Sequence, residues 1–115
     1  MNQKIIELRR ELHKYPEVSN DEHNTSERII NFIKEYNPDE IIRLGDTGVL
    51  FVFMGNEEGE SILFRSELDA LPIKEMTELK NKSVNNNVDH ACGHDGHMAI
   101  LAGLAQNIFT DSQTK

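Results

Sequence analysis

Two prolines limit what the N-terminal part of this chain can become. Proline inside a helix removes a backbone donor and clashes with the preceding turn, and it pushes the residue before it toward extended backbone. Ile5, Leu8 and Leu12 recur at helical spacing and the pattern stops before Pro16, which predicts a helix over residues 3–14 with a charged outer face. A second helix is predicted from Ser19, where Ser19 and Glu22 have capping-box spacing. It carries Ile29, Ile30, Phe32, Ile33 and Tyr36 on one side and ends at Asn37-Pro38.

Beyond Pro38 the period changes. Residues 41–44, 49–54 and 61–64 read as short strands, separated by Gly45-Asp46-Thr47-Gly48 and Asn56-Glu57-Glu58-Gly59, turns short enough for antiparallel hairpins. Residues 74–89 are polar and Asn-rich without periodicity, and read as a long loop. A last helix is expected to begin near Asp95 as its N-cap and to present Leu101, Leu104, Ala105 and Ile108 to a core before fraying over residues 110–115. The fold class is therefore α/β, with helices packed on a small mixed sheet. Three strands are few to cover on two faces, so the architecture reads as unfinished.

With 115 residues the chain is at most one domain with a modest core. Ile, Leu, Val and Phe together exceed the roughly one-fifth level below which a highly charged chain reads as disordered. The formal net charge of −8 repels phosphates and anionic lipid, which argues against nucleic acid and membrane partners. Residues 49–54 form the longest apolar run, far short of a membrane span. Lys4, Glu7, Arg9, Arg10 and Glu11 leave no room for the apolar stretch of a signal peptide, and Cys92 has no second cysteine with which to form an intramolecular disulfide. A cytoplasmic protein is the expectation.

The segment His90-Ala91-Cys92-Gly93-His94-Asp95-Gly96-His97 carries the chemistry: three imidazoles, a thiol and a carboxylate lie close together. Residues two apart in an extended segment point the same way, so Cys92 and His94 can face one ion while Gly93 lets the backbone approach. Thiolate with imidazole suits Zn²⁺, Co²⁺ or Ni²⁺ better than Mg²⁺ or Ca²⁺, and manganese is less expected from softness alone. Asp95, His90 and Asp89 are close enough in sequence to accept the second N–H of a ligating imidazole. A cysteine nucleophile with a nearby histidine is the weaker alternative, since such enzymes draw the histidine from far away in sequence. His13 and His23 are isolated and read as ordinary polar residues, not as ligands. A second informative stretch, Arg65-Ser66-Glu67-Leu68-Asp69-Ala70-Leu71-Pro72, falls at the end of a predicted strand, where α/β sheets bind ligands.

These stretches, with Leu8-Arg9-Arg10-Glu11-Leu12-His13-Lys14-Tyr15-Pro16-Glu17, Glu22, Thr25 and Thr47-Gly48-Val49, resemble the metallo-aminoacylase and carboxypeptidase family. The likeness is to its amidohydrolase branch of hippurate hydrolases, indoleacetyl-amino-acid hydrolases and N-acetyldiaminopimelate deacetylases, and it spans nearly the whole chain. Two departures stand out: Glu67 replaces the first aspartate of the usual Arg-Ala-Asp-Met-Asp-Ala-Leu-Pro pattern, and Asp89 sits where a small or apolar residue is usual.

The resemblance implies that Cys92 and His94 are ligands of a dinuclear Zn²⁺ or Mn²⁺ site. Asp95, His97 and His90 then stand behind the ligands, with Glu67 and Asp69 as further support. It implies hydrolysis of the amide bond of N-acyl amino acids or small peptide-like substrates, by water activated on the metal with a glutamate as general base. That glutamate, the remaining ligands, the dimerising lid domain of an often homodimeric family and the C-terminal catalytic part have no counterpart in residues 1–115. The chain therefore reads as the N-terminal part of a zinc-peptidase-like catalytic domain, truncated, binding metal weakly and inactive alone. The competing expectation is a non-catalytic metal-binding or redox-sensing thiol module, marked by an unusually reactive Cys92. A product without function is the third.

Overall fold

A computed structural model describes residues 3–72, Ser83, Val88, His90 and residues 93–114. Helix α1 spans Gln3–Lys14, helix α2 His23–Lys34, strand β1 Glu40–Leu44, strand β2 Gly48–Val52 and helix α3 His94–Thr114. The fold is α/β as expected, but its sheet is smaller. Among the described residues it is one antiparallel pair, registered from Glu40 opposite Val52 to Leu44 opposite Gly48, with Gly45 at φ +64 in the connection. The third strand expected at residues 61–64 does not form. Its apolar side chains have no ladder to join, and Ile62, Leu63 and Phe64 stand 77%, 73% and 58% exposed.

Helix α1 follows its predicted bounds and buries Ile5, Leu8 and Leu12. Helix α2 does not start at Ser19. The backbone turns at residues 18–21, where the Asp21 amide donates to Val18 O and Asn20 takes φ 73. Glu22 occupies the N-cap position without a side-chain cap. The cap comes instead from Glu17, whose carboxylate accepts the Thr25 amide at 2.5 Å and the Asn24 amide at 3.4 Å. A full charge aimed at these free amides is a better acceptor than a hydroxyl, which explains why Glu17 displaces the Ser19–Glu22 box.

The core lies between the three helices: Leu8 and Leu12, Ile29 and Ile33, and Met98, Ala102 and Ala105. Phe51, Phe53 and Leu68 pack on its side, partly buried. Helix α3 was expected to turn Leu101, Leu104 and Ile108 inward with Ala105. Ala105 is buried, but the face that meets α1 and α2 is the one bearing Met98 and Ala102, and Ile108 stays 38% exposed. Ala99, Ala102 and Ala105 on that side let the helix axes approach, with Met98 filling the space at its start, while Leu101, Leu104 and Ile108 line a groove against β2 and the segment after it. Tyr36, just past α2, joins that helix to the far end of α3: its hydroxyl accepts Gln106 Nε2 at 3.0 Å and its ring meets Phe109 edge-on.

Candidate metal centre

Three local devices bring the chemistry-bearing residues together. The Ala70 amide donates to Glu17 O at 2.7 Å and Val18 bridges Ala70 in parallel, which lays residues 67–70 beside the turn after α1. Gly93, at φ +80, adopts backbone that an L side chain resists, and its carbonyl accepts the His97 amide at 3.0 Å, so α3 starts with His94. The expected N-cap, Asp95, instead lies inside the first turn with its carboxylate directed at α1.

At that helix start, ligand atoms of Glu67, Asp69 and His94 lie within 4.8 Å of one another. His94 Nδ1 is 2.9 Å from the Asp69 carbonyl oxygen and 3.1 Å from Asp69 Oδ1. Those oxygens can only accept, so Nδ1 is the donor. In the neutral ring, Nε2 then carries a lone pair, and it faces Glu67 Oε2 at 3.4 Å. Two acceptors opposed at that distance, with a second carboxylate alongside, form a donor set that a divalent cation satisfies. A ligating imidazole held through its other nitrogen by a carbonyl is the usual support of such sites.

Asp95 is 1% exposed, and its Oδ2 accepts His13 Nδ1 at 2.8 Å and Arg9 Nε at 3.0 Å. Neither α1 residue was singled out for the site from sequence. His13 lies outside the Glu67, Asp69 and His94 group, and it is a buried partner of Asp95, the residue after His94. No local spacing signals a contact across 82 residues; the only clue is that His13 lies on the stripe of α1 that turns inward. His23 opens α2 on the surface.

His90 is 4% exposed, and neither ring nitrogen has a hydrogen-bond partner among the described residues. Burial pushes its pKa down, with Asp95 opposing and His13 and His94 adding to the effect, so the ring is held neutral. A buried, neutral imidazole with both nitrogens unmatched fits a centre completed by an ion and its water. His97 is exposed, with its ring centroid 6.0 Å from that of His94. Cys92 and Asp89 lie outside the described residues.

At the start of α3 the chain thus gathers two carboxylates and an imidazole of the kind that can hold a divalent metal, in a fold of the α/β class. Residues 63–113 match the sequence profile of Peptidase family M20/M25/M40. The chain is 39% identical over 102 residues to thermostable carboxypeptidase 1 of Saccharolobus solfataricus, covering 88% of this chain and 26% of that protein. It is 37% identical over 102 residues to the N-acyl-L-amino acid amidohydrolase of Geobacillus stearothermophilus, covering 89% and 28%. The crystal structure of a Bacillus subtilis protein, described as a dinuclear metal-binding peptidase of the M20 family, superposes with a TM-score of 0.89 at 37% identity over 94% of this chain and 31% of that one. The chain is thus similar to M20 peptidases, and it spans roughly a quarter to a third of the length of these relatives.

Proposed function

We propose that the chain supplies part of the metal centre of an amidohydrolase that cleaves the amide bond of N-acyl amino acids or small peptide-like substrates. The observation that carries this reading is the convergence of Glu67, Asp69 and His94 inside the segment that matches the family profile. Cys92, two residues before His94, joins His94 as a ligand; Glu67 and Asp69 either ligate or orient, and His90, Asp95 and His97 stand behind them. Zn²⁺ or Mn²⁺ is the ion, two of them in a complete site. Once bound, the ion supplies an activated water and polarises the amide carbonyl. This chain's residues hold His94 by its Nδ1, aim Nε2 and gather carboxylate charge. The general base and the remaining ligands belong to the complete enzyme, as does the lid through which such enzymes dimerise. The cytoplasm is its place, and no helix among the described residues is long and apolar enough to cross a membrane.

A catalytic ion takes three or more protein ligands with geometry held closely, and a pair of ions needs more between them. The 115-residue chain therefore binds divalent metal weakly and releases no amino acid from N-acetyl or N-benzoyl amino acids. The direct test replaces the matching stretch of the Geobacillus amidohydrolase with this chain. Hydrolysis retained in the chimaera and lost with His94→Ala supports the reading. A folded chimaera whose activity is indifferent to His94→Ala refutes it, and turnover by the 115-residue chain alone refutes its incompleteness.

A further inference from the structure

Asp95 is the most deeply placed carboxylate among the described residues, and its cationic or donor partners among them come from a single face of α1. Arg9 and His13 are four residues apart, one above the other on that helix. Their atoms meet the same oxygen, Oδ2, and the side chains of Arg9, His13 and Asp95 are 43%, 10% and 1% exposed. Holding the two helices together does not call for this group. Leu8 and Leu12 already pack against Met98 and Ala102, and a buried ionic contact is weak evidence for stability. What the group does determine is direction. Asp95 is the next residue after His94 in the first turn of α3, so anchoring Asp95 to α1 sets where the His94 backbone lies relative to Asp69 and Glu67. It also occupies a carboxylate that would otherwise compete for an ion one residue away.

We propose that Arg9 and His13 are positioning residues of the metal centre. Acting through Asp95, they fix the approach of His94 Nε2 toward Glu67 and keep the Asp95 carboxylate out of the coordination shell, without touching the ion themselves. This rests on the metal-binding reading above. It extends that reading to two residues of the first helix, far from the ligand segment in sequence.

The test titrates the full chain with Co²⁺ and follows its visible absorption, which reports ligand type and geometry, alongside circular dichroism for folding. Arg9→Ala and His13→Ala are expected to weaken Co²⁺ binding about 10–100-fold, the usual effect of removing an outer partner, and to alter the spectrum. His13→Asn, whose amide nitrogen takes the place of Nδ1 and keeps an N–H donor there, should recover most of the affinity. Leu8→Val, a destabilising core change on the same helix, should lower the melting temperature but leave affinity and spectrum as in the wild type. Folded Arg9→Ala and His13→Ala chains that bind as the wild type does overturn the proposal, as does an equal loss in Leu8→Val. If His13→Ala does not fold, the half-exposed Arg9 site decides. A wild-type chain with no measurable Co²⁺ uptake overturns this proposal and leaves the metal reading to the chimaera, and wild-type binding with indifferent variants likewise removes the proposal alone.

Discussion

Glu17 stands just past α1, yet its two carboxylate oxygens close the first turn of α2 by accepting the amides of Asn24 and Thr25. The same residue's carbonyl takes the Ala70 amide, so one position ties the second helix and the ligand-bearing segment to the turn between helices. Truncating it frees two amides that no other described side chain caps. Glu17→Ala is expected to cost about 1 kcal/mol, the usual worth of an N-cap, read as a lower urea midpoint at unchanged slope. Gly93 is the other position where one residue decides. Its φ of +80 is backbone that a side chain occupies only with strain, although the space around a Cβ is open, the nearest neighbour among the described residues being His97 Nε2 at 4.0 Å. Gly93→Ala should therefore cost about 1–2 kcal/mol through backbone strain and not through a clash. Because the strain is relieved by turning the start of α3, Co²⁺ affinity should fall with it. A Gly93→Ala chain as stable and as tight-binding as the wild type would mean that the left-handed turn is not needed.

At the scale of elements, α1 and α3 pack on small residues, and glycine and alanine there have opposite tolerances. A Cβ at Gly103 would meet Ile5 Cδ1 at 3.8 Å, an ordinary contact. Gly103→Ala is thus expected to stabilise the chain by about 0.5–1 kcal/mol through helix propensity alone. Ala102 is 0% exposed, with no room to grow, and Ala102→Leu should destabilise by about 1–3 kcal/mol through overpacking. Paired urea titrations check both signs, and a destabilising Gly103→Ala would mean that the α1–α3 contact is tighter than the 3.8 Å separation. This contact also explains what the sequence left illegible. Helix α1 could be read from Ile5, Leu8 and Leu12 because its other faces are charged. Helix α3 is apolar nearly all round, so spacing cannot say whether Leu101, Leu104 and Ile108 or Met98 and Ala102 meet the core; only the partner decides. Likewise, the strand pattern at residues 61–64 records side chains suited to a ladder and not the presence of one. The sequence singles out His94 and the Glu67–Asp69 stretch separately, and only the fold brings them to one place, as it brings the Asp95 partners from a helix far upstream.

Considered whole, the molecule carries two surfaces in tension. One is the groove where Leu101, Leu104 and Ile108 of α3 face β2 and the segment through Phe64, with Ile62, Leu63 and Phe64 largely exposed. Apolar surface of that kind favours association, by about 25 cal/mol for each Å² removed from water. The other is the net charge of −8, which repels like chains at distances comparable to the Debye length. Salt shortens that length, from about 30 Å at 0.01 M to about 10 Å at 0.1 M, while leaving apolar attraction in place. Self-association should therefore rise with sodium chloride over this range, the reverse of what charge pairing between chains would produce. Sedimentation velocity at a fixed protein concentration measures it directly. Ile62→Asp with Phe64→Asp should suppress the rise twice over, by removing apolar area and adding repulsion. Ile62→Ser with Phe64→Ser removes the area alone and so separates the two effects. Association that falls with salt in the wild type, or that survives both double variants, would place the attraction elsewhere than the groove.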